Sequence, residues 1–555
     1  MTAMRQKNNR ISNPWRFVFL GMAGLSLIAT VRTLFFGLDV DEEYALTLAY
    51  RLARGDLLIQ EMWEPHQTSA VLPAVFIRIF LTVTGNSEYL LLYMRLLGCL
   101  AQAGLSLFWV NTLRDRCKPQ TLWTTAFIIY AVLPKWIAVP EFANQQIWFM
   151  LLTILFLYRY FERGKTASLV LAGVALALDV LAYPSCVLLL IPFAALLWRS
   201  SRKAAIVFGG TGVILGAGFV AGLLTYMRPA ELLTNIGYIL DDPEHGGSLA
   251  AKLSGYGTEL LEIVGYLAVY AVLAFVFAWL VSLRTGNRTK LWGVLFLLLA
   301  WADQIRCWVM KQGPNVHPQL HYLTLFVAGY VLYQGAKKEE WKLLFSLTWW
   351  PSVVSFAAVL LLTNLDMKAS FVHLLPGILC GVVFFMENDD WNERLRSAVP
   401  AAWVVVLLAA RILLIRANEG MPEDVFFVKQ KALYGAAKNV YCEYMTGVQL
   451  NSDYEFLHDK LKDGENVFYI GKDTLVYLLT DMEICTASTI STPVFNERYL
   501  QYFEQNPEKL PTAVIIDKEY LERHRSGMGM ILEWIQRHYN WEEKQESEFL
   551  YLIES

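Results

Sequence analysis

This sequence predicts a polytopic α-helical membrane protein with a small α/β domain at its C-terminal end. Three observations carry that reading. Hydrophobic residues make up 55% of the 555 positions and charged ones 17%, with a mean hydropathy of +0.37. Apolar runs of the roughly 20 residues needed to cross a bilayer recur along the first three quarters of the chain. From residue 418 onward the chain turns polar, with strand-like runs at Val467-Phe468-Tyr469-Ile470 and Ala513-Val514-Ile515-Ile516-Asp517.

The N-terminal segment carries Arg5, Lys7, Arg10 and Arg16 and no acid. The apolar run after it has no small-residue cleavage site, which predicts a retained first span at 15–36 rather than a removed leader. Further spans are expected at 89–113, 121–138, 144–161, 168–182, 184–199, 204–226, 261–283, 291–309, 319–335, 341–363, 370–387 and 398–416. The run 70–84 decides the topology. Short basic loops belong in the cytoplasm, and they hold Arg114, Arg116 and Lys118, then Arg159, Arg163 and Lys165, then Arg199, Arg202 and Lys203, with later clusters at 284–290 and 337–342. If 70–84 spanned, the first two clusters would fall on the wrong side. As a short run with Arg78 in its middle it reads as an amphipathic helix lying in the interface. The expectation is therefore about 13 spans in a plasma membrane, with the N-terminus cytoplasmic. A membrane domain occupies 1–417, with an external loop at 37–88. The loops 227–260, 310–318 and 364–369 and a soluble domain at 418–555 also lie outside. At roughly 130 residues that domain is large enough for its own core.

Several classes of function are disfavoured. No basic face or recognition motif suggests nucleic acid. The seven cysteines lie apart with no CxxC pair, so neither a metal site nor a disulfide framework is indicated. Cys442 and Cys485 are the two in the polar tail, and both a single bridge and two free thiols remain open.

Chemistry concentrates in the first external loop. Asp39-Val40-Asp41-Glu42-Glu43-Tyr44 follows the first span directly, and Trp63-Glu64-Pro65-His66-Gln67 returns to the membrane. Carboxylates beside a bilayer are costly to desolvate and are usually kept for a task. The D-x-D form of Asp39 and Asp41 matches metal–nucleotide-sugar sites, but nucleotide sugars are cytoplasmic and this loop is not. A plain charge cluster at a helix start is the simpler alternative.

The order of the motifs favours a more specific reading. Asp41-Glu42 opens the loop, Arg54-Gly55-Asp56 ends its helix, and Glu64-Pro65-His66 precedes the interfacial helix. In this layout the first third of the chain resembles the GT-C class of membrane glycosyltransferases, in particular the protein O-mannosyltransferase and lipid A aminoarabinose transferase group. The return departs from many relatives in having Gln67-Thr68 where they carry further prolines. The resemblance implies a GT-C-like fold and a sugar passed, with inversion, from a polyprenyl-phosphate lipid donor to a glycan, lipid or protein acceptor outside the cytoplasm. A hydroxyl acceptor needs a base. Asp41 is the expected base, with Glu42 as its working partner and Asp39 beside it. Glu64 and His66 are expected to support the acceptor.

The departing lipid phosphate calls for cations. Candidates at outer span ends are Lys135, Arg228, Arg306 and Lys311, each of which could instead snorkel to headgroups. His317 and His321, four apart, are half a ligand set, so no metal is assigned and a divalent cation stays an open possibility. Glu141, Asn144 and Gln145 are expected near the sugar, and Asp179 is an intramembrane acid without an assigned role. Two rivals remain: a transporter or flippase of a lipid-linked glycan, which would show repeated halves and a mid-membrane site, and a non-catalytic glycan-binding relative.

Overall fold

The computed structural model describes residues 13–134, 137–240, 249–285, 338–363, 367–388, 393–416, 422–462, 464–490 and 496–554, together with isolated positions between 302 and 365. Its helical part opens with α1 (Asn13–Phe35), α2 (Val40–Arg54), α3 (Val71–Thr84), α4 (Leu90–Leu113), α5 (Pro119–Ala131) and α6 (Phe142–Arg163). It continues with α7 (Thr166–Ala182), α8 (Leu190–Ser200), α9 (Arg202–Leu223), α10 (Pro229–Leu240) and α11 (Leu249–Thr285). Helices Lys338–Leu362, Leu375–Glu387 and Glu393–Leu413 complete it. Among the described residues, six segments are long and apolar enough to cross a membrane: Pro14–Phe35, Gln67–Thr84, Leu90–Leu113, Arg202–Leu223, Glu340–Leu362 and Arg396–Leu413. Three shorter apolar helices join them at Thr166–Ala182, Pro184–Ser200 and Phe371–Glu387. The expected spans 291–309 and 319–335 fall largely outside the described residues.

The expected span 121–138 is helical only to Ala131. Val132 turns extended, and the chain continues as irregular backbone buried within the protein. Such backbone is tolerated at membrane depth only where the protein satisfies it. Gln102 does so by donating from Nε2 to Ile129 O and, at 2.8 Å, to Val132 O.

Span ends sort onto two faces. Arg116, past α4, donates to Glu162 near the end of α6 at 2.9 Å, while Lys118 N and Thr121 Oγ1 donate to Glu387 at 2.5 and 2.8 Å. The basic loops after α4 and α6 therefore share one face. At the opposite end of α4, Leu91 N donates to Ala436 O at 3.1 Å, and Gly37 N, just past α1, donates to Tyr441 O at 2.8 Å. That second face carries the C-terminal part of the chain.

Helix α3 has both of its ends on the second face. Immediately before it, Glu64 accepts from Thr489 N at 3.0 Å. Immediately after it, Ser87 N donates to Asp481 at 3.0 Å and Ser87 Oγ to Leu478 O at 3.1 Å. One side of the helix packs inward through Pro73, Ala74 and Ile77, while Val75, Arg78, Ile79 and Val83 are exposed. With the 3₁₀ turn Gln67–Ala70 before it, the segment is long and apolar enough to cross, yet the chain on either side of it bonds to the same C-terminal part.

The C-terminal part begins with the hairpin β1 (Leu414–Arg416) and β2 (Pro422–Asp424), then the pair β3 (Val428–Lys431) and β4 (Tyr441–Glu443). A five-stranded sheet follows, made of β5 (Asn466–Ile470), β6 (Glu483–Ile484), β7 (Ala513–Asp517), β8 (Gln545–Glu546) and β9 (Leu550–Glu554) in the order β6-β5-β7-β9-β8. Strand β5 runs parallel to β6 and β7, and β9 is antiparallel to β7 and β8. All of β7 is buried, as expected for a central strand covered on both faces. Both strand-like runs of the sequence fall in this sheet. Cys442 and Cys485 are free and buried: Cys442 Sγ lies against Gln430 O, whereas Cys485 packs with Trp63 and Phe468.

Cysteine placed at Asn86 is expected to react with a membrane-impermeant maleimide from the same side as one at Glu533 and from the side opposite one at Asp115. Reaction of the Asn86 site from the Asp115 side would mean that α3 crosses.

Candidate active site

Helix α2 begins where Asp39 caps it, the Asp39 carboxylate accepting from Asp41 N at 3.0 Å. Asp41, Glu42 and Glu43 fill the first turn, where the positive helix end favours them. Successive residues point about 100° apart, so the three carboxylates meet different surroundings. Glu42 is fully buried against Arg95 of α4, which donates from Nε at 2.8 Å and pairs through Nη2. Arg95 also donates to Leu34 O at 3.0 Å and Gly37 O at 2.6 Å. It thereby ties the end of α1 to the start of α2. Of the two residues expected to work as a pair, Glu42 is buried in this ion pair and Asp41 is half-buried.

A second buried cation organises the rest of the loop. Arg51 donates from Nε to Asp56 at 2.6 Å, from Nη1 to Glu64 at 3.2 Å, and from Nη2 to Glu61 O at 2.8 Å and Thr486 O at 2.9 Å. Lys509 stands 2.6 Å from Asp56 and 3.5 Å from Glu61. Tyr502 donates to Glu61 O at 2.9 Å, and Trp63 N to Ala487 O at 2.9 Å. Glu64, expected at the acceptor, is instead buried in this knot, its oxygens also accepting from Thr489 N and Oγ1. Burial pushes its carboxyl above the usual range, with Arg51 and Thr489 opposing. Tyr44, one turn after Asp41, hydrogen-bonds Glu64, and its phenol is pushed well up by burial and by that carboxylate.

His66 is half-buried with its ring stacked on Phe142, centroids 3.9 Å apart, and 5.8 Å from Tyr183. This corner joins the loop to the start of α6 and the end of α7. Glu141 caps α6, accepting from Ala143 N and Asn144 N at 2.8 and 2.7 Å. Asn144 donates to Ile137 O and Val139 O, and Gln145 to Ser69 O and Pro140 O. The three polar residues expected near the sugar therefore brace the corner.

Of the four expected phosphate ligands, two fall among the described residues. Arg228 is exposed and paired with Glu231 at 3.1 Å, and Arg306 is exposed beside Met310. Lys135, Lys311, His317 and His321 lie outside the described residues. Among the described residues no three His, Cys, Asp or Glu side chains are placed to hold a metal ion. Asp179 is buried inside its span, with the Cys186 thiol as its polar neighbour. Sequence reasoning missed Arg51 and Arg95, although an arginine inside an apolar stretch is itself a signal of a buried partner.

A group of carboxyls lies where α2 meets the sheet. Glu43 is buried, and its carboxyl is pushed well up by burial and then by Asp473. Asp473 follows β5, and burial with Asp517 nearby raises it to about 6. Asp453, fully buried on helix Tyr444–Leu457, is raised to about 8 by burial, Asp517 and Asp473.

No family model matches the chain, and no curated protein does either. Among solved structures it is similar to the Archaeoglobus fulgidus oligosaccharyltransferase in complex with Zn and sulfate, at TM-score 0.44 and 12% identity over 93% of this chain and 71% of that one. It is likewise similar to the oligosaccharyltransferase AglB of Archaeoglobus fulgidus with an inhibitory peptide and a dolichol-phosphate, at 0.41 and 12% over 95% and 73%. ArnT from Cupriavidus metallidurans in the apo state gives 0.42 and 11% over 97% of each chain. At such scores the assignment of chemistry rests on this chain's own residues.

Two measurements test this geometry. Arg51→Ala should lower unfolding stability by about 3–5 kcal/mol, since it strands buried carboxylates. Arg54→Ala, which removes a partly exposed pair with Glu483, should cost below about 1 kcal/mol. Equal losses in denaturant titrations would contradict the knot. The second concerns pH. A carboxyl raised to about 8 when folded, against about 3.9 unfolded, contributes stability below the lower value that is lost as pH rises through the upper one. Asp453→Asn should therefore raise the melting temperature at pH 8.5 and leave it nearly unchanged at pH 4. A drop at pH 8.5 would refute the assignment.

Proposed function

We propose that this chain transfers a sugar from a polyprenyl-phosphate donor to a hydroxyl of an extracytoplasmic acceptor, with Asp41 as the base. The observation that supports it most is where Asp41 stands: half-buried in the first turn of α2, at the positive helix end, on a helix held by Arg95 through Glu42 and by Arg51 through Asp56 and Glu64. The order of the motifs Asp41-Glu42, Arg54-Gly55-Asp56 and Glu64-Pro65-His66 points the same way.

In this reading the acceptor oxygen attacks the anomeric carbon from the face opposite the phosphate. Its proton passes to the Asp41 carboxylate, the carbon–oxygen bond to phosphate breaks, and the polyprenyl phosphate departs with that bond's electron pair. The configuration inverts, and Asp41 returns its proton to water. His66, stacked on Phe142, is assigned to orient the acceptor. The departing phosphate is assigned to cations of the outer loops, Lys135 and Lys311 first, on their sequence positions. A donor anchored in the bilayer fits a site placed where the spans end.

In proteoliposomes with a labelled polyprenyl-phosphate sugar, Asp41→Asn should reduce transfer by about 10²- to 10⁴-fold, the usual contribution of a general base. Its melting temperature should hold, whereas Glu42→Gln should lower it. Full transfer by Asp41→Asn would remove the base assignment.

A further inference from the structure

The segment 426–445 sits directly over the ends of the spans. Gly37 N donates to Tyr441 O at 2.8 Å, and Phe36 stacks on Tyr441 with ring centroids 5.2 Å apart. At the head of α4, Tyr89 N donates to Gly435 O at 3.3 Å and Leu91 N to Ala436 O at 3.1 Å. Lys438 reaches Glu88 at 2.7 Å. The helix Glu393–Leu413 passes straight into β1 at Leu414, whose carbonyl accepts from Arg32 near the end of α1. This part of the domain therefore stands at the level where three helices leave the apolar layer.

Its outward side chains are not those of a solvated surface. Phe426 is 74% exposed, Tyr444 57%, Met445 53% and Leu433 45%. Interleaved with them are Lys429, exposed where the β3–β4 register shifts between Val428 and Gln430, and Lys431, half-buried. The one carboxylate within 426–445, the exposed Glu443, caps the helix Tyr444–Leu457, accepting from Thr446 N at 3.2 Å. Aromatic, aliphatic and lysine side chains mixed at this depth are the composition of a membrane interface, where rings sit among the headgroups and lysines reach phosphate. An apolar group of this kind left in water would be a liability.

We propose that the surface formed by Phe426, Leu433, Tyr444 and Met445 rests on the outer leaflet of the protein's own membrane, with Lys429 and Lys431 on the phosphates of anionic lipids. The occupant follows from continuity: the patch adjoins the ends of α1, α4 and helix Glu393–Leu413, around which that leaflet must lie. It also follows from charge, since 426–445 carries Lys429, Lys431 and Lys438 against the single carboxylate Glu443, a net positive segment that suits an anionic headgroup layer. The footing would hold the edge of the domain beside α2 and make its stance depend on lipid composition. It stands independently of the proposed transfer reaction.

The test uses the full chain in proteoliposomes. Spin labels on Phe426→Cys, Leu433→Cys and Met445→Cys are read by collision with oxygen and with a water-soluble nickel chelate, after subtraction of the unsubstituted protein. Labels at Val213 in α9 and at Glu533 mark the lipid and water limits. The proposal expects the three patch labels to show an oxygen-to-nickel ratio several-fold above the Glu533 value. A ratio equal to that of Glu533 would overturn it. So would low collision with both reagents, which would mean that protein, a partner or a second copy, covers the patch. Adding anionic to neutral lipid should deepen the labels, and Lys429→Gln with Lys431→Gln should abolish that shift. No shift in the chain with both lysines would overturn the headgroup assignment.

Discussion

The arrangement depends on one guanidinium. Arg51 lies fully inside the protein and spends its donors on Asp56, Glu64, Glu61 O and Thr486 O. A charge so buried persists only when each of its directions meets an acceptor. Those acceptors come from α2's own end, from the returning strand of the loop and from the C-terminal sheet domain. Satisfying Arg51 therefore fixes three separate pieces of chain relative to one another. The direction in which α2 presents Asp41 is one of the things so fixed.

Arg95 plays the complementary part at the other end of α2. By holding Glu42 together with Leu34 O and Gly37 O, it sets the turn between the first span and α2. Each arginine consumes a carboxylate in doing so. An acidic segment that looks like a single site in the sequence becomes a scaffold around Asp41, with Glu43 turned away toward the carboxyls of the sheet domain.

Much of the fold was legible because it follows from local rules. Hydropathy marked the apolar segments, six of which are long enough to cross among the described residues, and the placement of lysines and arginines argued that 70–84 does not cross, with which the hydrogen bonds at Glu64 and Ser87 are consistent. Apolar runs located β5 and β7. What stayed hidden depended on distant partners: Glu64 and Thr489 are 425 residues apart, and Glu42 and Arg95 are 53 apart. Periodicity carries no information about such pairs. Glu141 is a different case. An acid immediately before the helix start at Phe142 is a local capping signal, and weighing it would have shown that Glu141 caps α6. The end of α5 at Ala131 was missed because the buried backbone beyond it is held by Gln102, a residue of another span.

The separation between Arg51 and Thr486, 435 residues, also sets an order of events. A membrane chain is made from its N-terminus, so the loop between α1 and α4 is delivered long before the sheet domain exists. Until then Arg51, Asp56, Glu61 and Glu64 lack half of their partners and must stay hydrated. The loop can close over its charges only after the last span has been inserted and the tail has folded. Assembly of the site is thus a late step of biogenesis, and a chain truncated before residue 486 would reach the membrane with its acidic loop still open.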